Sequence, residues 1–281
     1  MSERLAASGG VGSGVRFRRI VCGIDGSEEA LTAARQAVAL AEEGAELWGV
    51  SAWDPGVAVH AGIHAARVAE DLRNAAAAAL ARAREEVPEL QPVRVRGRDV
   101  PALLDVVAEL RADLVAVGSH GRSRVAGILL GSVASAMAHY APCAVLVARA
   151  AAGFPGTILH ANDGSAESLD AARVAGRIAA AHGSTVATMH VRENDGGTIA
   201  QDAVAILEES GREPILRVEQ GSPGRALCEA AASIGAGLVV IGSRGRTGLK
   251  ALGSVSEHVA HHAPCSVLIV RRPEHPERDD D

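Results

Sequence analysis

The sequence predicts an α/β protein built from two similar halves, each a five-stranded parallel sheet covered by helices on both faces. Three observations carry this. The run RRIVCGIDGS at residues 18–27 is answered by GTILHANDGS at residues 156–165. Each of these runs opens a stretch that closes on a matching one: VAVGSHGRSRVAGILLGSVASAMAHYAPCAVLVAR, ending at Arg149, and VVIGSRGRTGLKALGSVSEHVAHHAPCSVLIVR, ending at Arg271. Between opening and closing, short apolar runs alternate with longer amphipathic stretches, which implies parallel strands joined by right-handed crossovers. The repeat is far longer than the 20–50-residue periods of solenoids, so the halves are domains and not stacked repeats.

In the first half, residues 19–24 form an apolar strand. A helix over 27–43 follows, with Leu31, Ala34, Val38 and Ala41 on one face and Ser27 as N-cap. Glu28 and Glu29 complement the dipole of that helix. Strand 45–52, an Ala-rich helix 67–86, strand 93–96, helix 101–111, strand 114–117, helix 132–139 and strand 144–147 complete the half. The second half repeats the order: strand 157–161, helix 166–182, strand 185–191, helix 198–211, strand 215–218, helix 225–234, strand 238–241, helix 254–262 and strand 266–270. The domains are therefore 17–150 and 156–272, joined by the linker AAGFP at 151–155. Residues 1–16 are expected to form a flexible tail, and the acidic segment 273–281 a disordered one. The closing strands 144–147 and 266–270 are expected at sheet edges, where bare apolar edges invite pairing. The domains should then pair across a pseudo-twofold axis within the chain, and a homodimer of the whole chain is a further expectation.

Composition excludes several classes of function. The 281 residues are 48% hydrophobic and 22% charged with a net charge of -6, enough for two ordinary cores. No apolar run approaches the roughly twenty residues of a membrane span, and the first residues lack the apolar region of a secretory signal. Basic residues are dispersed, and the aromatics are only Phe17, Trp48, Trp53, Tyr140 and Phe154, so nucleic acid is not an expected partner. Cys22, Cys143, Cys228 and Cys265 lack paired metal or redox spacing; the first, second and fourth read as small buried residues of strands in a reducing, cytoplasmic setting.

Ligands of open parallel α/β sheets bind beyond the carboxyl ends of the strands. The turn Asp25-Gly26-Ser27, the strand end near Ala52 and the turn from Gly118 to Gly121 all arrive there. Gly118 and Gly121 let backbone approach a bulky ligand. A nine-residue spacer then leads to Gly131-Ser132 at a helix start, whose N–H groups and dipole suit a phosphate. Asp25 is placed for ribose hydroxyls or for a divalent cation.

Taken together, IVCGIDGS, the Gly118-x-x-Gly121 turn with its spacer and Gly131-Ser132, and the closing APCAVLV resemble the universal stress protein family in its tandem form, over nearly all of residues 18–271. The resemblance implies two flavodoxin-like, adenine nucleotide alpha hydrolase-like domains of strand order 3-2-1-4-5 that bind ATP, with Mg2+ or Mn2+ as the accompanying cation. It implies Asp25 at the ribose and triphosphate, Ala52 beside the adenine, and Gly118, Gly121, Gly131, Ser132 and Val133 around the phosphates. The matching positions of the second half are Asp163, Val191, Gly242, Gly245, Gly253, Ser254 and Val255. There the spacer is seven residues, two fewer, which shortens a loop that must wrap a triphosphate.

Other residues read more plainly. His120 is taken as a solvent-facing loop residue, with phosphate contact as the alternative, and Arg122 and Arg246 are either phosphate contacts or exposed loop cations. His261 and His262 sit where a cation caps a helix end. His60 and His64 have metal-ligand spacing only if that segment is helical. Trp48 and Trp53 are expected to fill core or interface space. No nucleophile–base pair stands out, and Lys250 is the only lysine and lies outside any Walker-type motif. A stress-response binding module is therefore preferred over a slow ATPase or phosphotransferase, and over a scaffold whose pockets hold cyclic AMP or nothing.

Overall fold

A computed structural model describes residues 17–121, 130–150, 153–192, 199–244 and 252–271. The first half runs β1 (Phe17–Gly23), α1 (Glu28–Leu40), β2 (Ala41–Trp53), a 3-10 segment (Pro55–His64), α2 (Ala65–Glu86), β3 (Gln91–Arg96), α3 (Asp99–Glu109), β4 (Leu114–Gly118), α4 (Ser132–Tyr140) and β5 (Ala144–Ala148). The second runs β6 (Thr157–Asn162), α5 (Ala166–His182), β7 (Val186–Arg192), α6 (Ile199–Glu209), β8 (Ile215–Gln220), α7 (Pro223–Ser233), β9 (Ala236–Gly242), α8 (Ser254–His262) and β10 (Ser266–Val270).

The ten strands form one sheet of order β3-β2-β1-β4-β5-β10-β9-β6-β7-β8, so each half has the order 3-2-1-4-5. All pairings within a half are parallel; β5 and β10 meet antiparallel, with Leu146 opposite Leu268. The expected pairing through the closing strands is thus present. Central strands such as Leu114–Gly118 are apolar throughout because helices cover both faces. Helices α1, α2, α5 and α6 bury one continuous core, and α3, α4, α7 and α8 bury the other, each continuous across the seam. Alanines set the close spacing on the first face: Ala33, Ala34 and Ala37 of α1 are fully buried.

The seam has a reciprocal lock. Arg149, just past β5, donates to the carbonyls of Ala260 and His261 at the end of α8. Arg271, just past β10, donates to Ala138 and Ala141 at the end of α4. Each half thereby supplies the cation that satisfies the last carbonyls of the other half's last helix. Gln36 of α1 joins them: it donates to the Arg149 carbonyl at 3.0 Å and accepts from the Ser266 hydroxyl at 2.7 Å. The cap assigned to His261 and His262 is accordingly corrected. His262 Nδ1 instead lies 2.9 Å from the His258 carbonyl of its own helix.

Two local readings change. The helix expected over 27–43 ends at Leu40, because Ala41 is already extended (φ -72, ψ 146) and pairs with Phe17. Gly44, at φ +77, then turns the chain within the long β2. The His60/His64 spacing is not a helical one, since Gly62 between them has φ 55 and ψ -123. Cys22, Cys143 and Cys265 are buried as expected, and burial pushes the thiols of Cys22 and Cys143 up to about 12 and that of Cys265 to about 11.

Candidate functional site

The site begins with a turn that its own residues dictate. Asp25 Oδ1 accepts from the N–H and hydroxyl of Ser27 at 2.9 and 2.6 Å, and Ser27 Oγ accepts from the Ala30 N–H at 3.2 Å as the N-cap of α1. Gly26 between them has φ +87, open only to glycine at no cost. The carboxylate is held at the tip of β1.

The second wall comes from β4. A Cβ on Gly118 would fall 2.7 Å from backbone and side-chain carbons of Glu29, so only glycine lets β4 pass this close to the start of α1. Ser119 N–H donates to Ala148 O at 2.9 Å, and the Gly131 N–H returns to Ser119 O at 2.7 Å. The chain that leaves at Gly121 therefore re-enters beside its own exit. A Cβ on Gly121 would lie 2.7 Å from Asp25 Oδ2, which places the two turns in contact. Gly131 is the N-cap of α4 and makes no side-chain cap bond, so no side chain there competes for the first-turn N–H groups.

These parts enclose a cleft of about 520 Å³, within the usual range of small-molecule sites. Asp25, Ala52, Gly118, Gly121, Gly131, Ser132 and Val133 all line it. Trp53, read from sequence as a core or interface filler, lines the cleft instead; Trp48 packs half-buried against the core. His120 also lines it, with Nδ1 3.1 Å from Ser119 Oγ, and so is not a purely solvent-facing residue. Asp54, Arg98 and Asp99 were missed. The one available signal was position: Asp54 follows β2, and Arg98 and Asp99 follow β3, at the same end of the sheet as Asp25. Arg122 and the spacer to residue 129 lie outside the described residues.

The second half repeats the frame. Asp163 Oδ1 accepts from Ser165 N–H and Oγ at 2.9 and 2.5 Å, and Ser165 Oγ accepts from Ser168 N–H at 3.1 Å. Gly242 ends β9 with its would-be Cβ 2.9 Å from the Glu167 carbonyl carbon. Gly253 caps α8 and donates to Ser243 O at 2.7 Å, with Ser254 opening the helix and Val255 half-buried behind it. Val191 lies near the end of β7 and packs half-buried against the core. Gly245, Arg246 and Lys250 lie outside the described residues. The surroundings differ. Where the first half has Gly23 and Ile24 on its cleft, the second has Ala161 and Asn162, and Asn162 Oδ1 accepts from Gly164 N–H at 3.0 Å.

Among the described residues no group of three or more His, Cys, Asp or Glu is arranged to hold a metal ion, and no helix is long and apolar enough to cross a membrane.

Comparison with known proteins agrees with this architecture. A solved universal stress protein from Archaeoglobus fulgidus superposes with a TM-score of 0.74 at 21% identity, over 91% of this chain and 97% of that one. A universal stress protein of Mycobacterium tuberculosis is 40% identical over 134 residues, 46% of this chain and 45% of the relative. One of Mycolicibacterium smegmatis is 32% identical over 190 residues, 58% of this chain and 63% of the relative. The chain spans about half the length of the first of these curated relatives. The family model described as "Universal stress protein family" matches residues 16–149 and 195–271. With most of its length matched in two segments, one in each half, this chain belongs to the universal stress protein family.

Proposed function

We propose that the first half binds ATP in the cleft between Asp25 and the start of α4, and that the protein acts as a stress-response regulatory or binding module. The observation that carries this reading is the convergence of Asp25, Gly121 and Gly131-Ser132 on one cleft. Asp25 Oδ2, beside Gly121, would accept a ribose hydroxyl, while Oδ1 stays engaged by Ser27. The first turn of α4 would take the phosphates through its N–H groups and dipole. Ala52 and Trp53, at the end of β2, would border the base.

The donor set fits a cation shared with the ligand better than one held by protein alone. Mg2+ takes one or two carboxylates and completes its shell with phosphate oxygens and water; Asp25, Asp54 and Asp99 line the cleft without forming a three-ligand cluster. Mg2+ or Mn2+ bound in this way would neutralise the phosphates. The second half carries the same aspartate turn and helix start with a shorter spacer, and we assign it the weaker site.

Calorimetric titration of the full chain with ATP, AMP and cyclic AMP tests the reading. ATP at about 100 times its Kd should stabilise the fold by roughly 2.7 kcal/mol, and Asp25→Ala should remove most of the affinity. No heat and no stabilisation from ATP would refute it; preference for cyclic AMP would keep the cleft and change its ligand.

A further inference from the structure

The sheet ends differently at its two edges. β3, at one end, reads QPVRVR, with Pro92 withholding a ladder N–H and Arg94 and Arg96 exposed, the usual means of blunting an edge. β8, at the other end, reads ILRVEQ and pairs only with β7 among the described residues. Its apolar side chains stay in water: Ile215 is 54% exposed, Leu216 47% and Val218 43%. These are three of the seven large hydrophobic residues exposed among the described ones. Cross-strand apolar contact is the ordinary fate of such a strand.

We propose that β8 is a homodimer interface, pairing antiparallel with β8 of a second copy to continue the sheet. Symmetry selects the register. A twofold axis perpendicular to the sheet keeps each face on its own side, so residues facing one another must both be odd-numbered or both even-numbered. Centring the axis on Arg217 sets Arg217 against its own copy, and centring it on Glu219 sets two carboxylates together; both arrangements repel. Centring it on Val218 sets Val218 against Val218 and places Leu216 diagonally beside it on the same face. On the other face Arg217 then meets Glu219 of the second copy, twice by symmetry. The charges of this short strand are complementary only in that register. The contact is small compared with stable dimer interfaces, so the dimer is a weak one.

The test uses the full chain in sedimentation equilibrium up to about 100 µM, with oxidative cross-linking. The wild type should dimerise reversibly. Val218→Cys should form a disulfide-linked dimer, because facing residues of antiparallel strands lie about 4.5–5.5 Å apart at Cα, within disulfide reach. Leu216→Cys alone, facing Gln220 of the second copy, should not. Arg217→Glu should weaken the dimer about tenfold, and Arg217→Glu with Glu219→Arg should restore it. The restored pair is informative even if the single variant is less stable. A monomeric wild type at about 100 µM overturns the proposal. So does a dimer that Val218→Cys fails to trap or that Arg217→Glu leaves unchanged. Open fibres would mean that β8 seeks β3 of the next molecule, which also overturns it.

Discussion

The two halves close their Asp-Gly-Ser turns with hydrogen bonds whose lengths agree to within 0.1 Å and differ in what lies beneath. The Asp-Gly-Ser turn closes with matching hydrogen bonds at Asp25 and at Asp163. Under the first turn, Cys22 and Gly49 face each other in neighbouring strands, and Gly49 leaves room for Leu90, whose side chain would touch a Cβ there at 2.4 Å. Under the second, the same two positions hold His160 and Thr188. His160 is fully buried, with Nδ1 2.9 Å from Thr188 Oγ1 and Nε2 2.8 Å from the Ser168 carbonyl. Burial pushes this imidazole down to about 4. Short-range capping geometry is thus set by residues two and three apart, while the floor beneath it is free to be apolar or polar, provided every polar atom there finds a partner.

The largest expected effect separates these floors by pH. His160 is neutral when folded, whereas its ordinary pKa of 6.5 would charge it in the unfolded chain. Because the folded value is the lower one, the contribution is fully present above about pH 6.5 and is lost as pH falls toward 4, reaching about 3 kcal/mol. His258 and His261, also shifted downward by burial, add to the same trend, so the difference between wild type and His160→Gln is the quantity to measure. Urea unfolding at pH 7 and pH 4.5 should show a flatter pH dependence in the variant; equal slopes would break the contrast between the floors.

The next effect tests what the halves share. Gly118→Ala and Gly242→Ala each force a Cβ into backbone of the preceding helix start, at 2.7 and 2.9 Å, and should each cost about 1–3 kcal/mol. Gly121→Ala meets the Asp25 carboxylate at 2.7 Å and no backbone, so stability should fall less, while displacing the carboxylate from its Ser27 bonds should lower nucleotide affinity more. A Gly121→Ala protein with unaltered ATP titration would detach that turn from the site.

The smallest effect is the strictest comparison. Ser27→Ala and Ser165→Ala each delete an N-cap bond of nearly equal length, 3.2 and 3.1 Å, and should each cost about 1 kcal/mol. Denaturation midpoints that differ by more than half of this between the two variants would show that the polar floor under Ser165, where the Ser168 hydroxyl reaches Asn162, reinforces the cap.

Much of this was legible in the chain itself, for a physical reason. Strand and helix periodicity, the cap at Ser27 and the Asp25-Gly26-Ser27 turn depend on residues a few positions apart, so the residues announce them directly. The two halves, the candidate positions from Asp25 to Ser132 and the apolar closing strands followed from such local signals, while Val133 and the strand order 3-2-1-4-5 came from family resemblance. Tertiary structure alone decided the rest. Arg149 reaches Ala260 across 111 residues, and Arg271 reaches Ala138 across 133, so no local pattern could say that arginine, and not His261 or His262, would satisfy those helix ends. Trp53, Arg98 and Asp99 become cleft residues only because parallel strands bring their carboxyl ends together. His160 could be read only as an oddity in an apolar strand until the fold set Thr188 and the Ser168 carbonyl against its two nitrogens, for the cost of burying a polar ring is met by partners that sequence distance conceals.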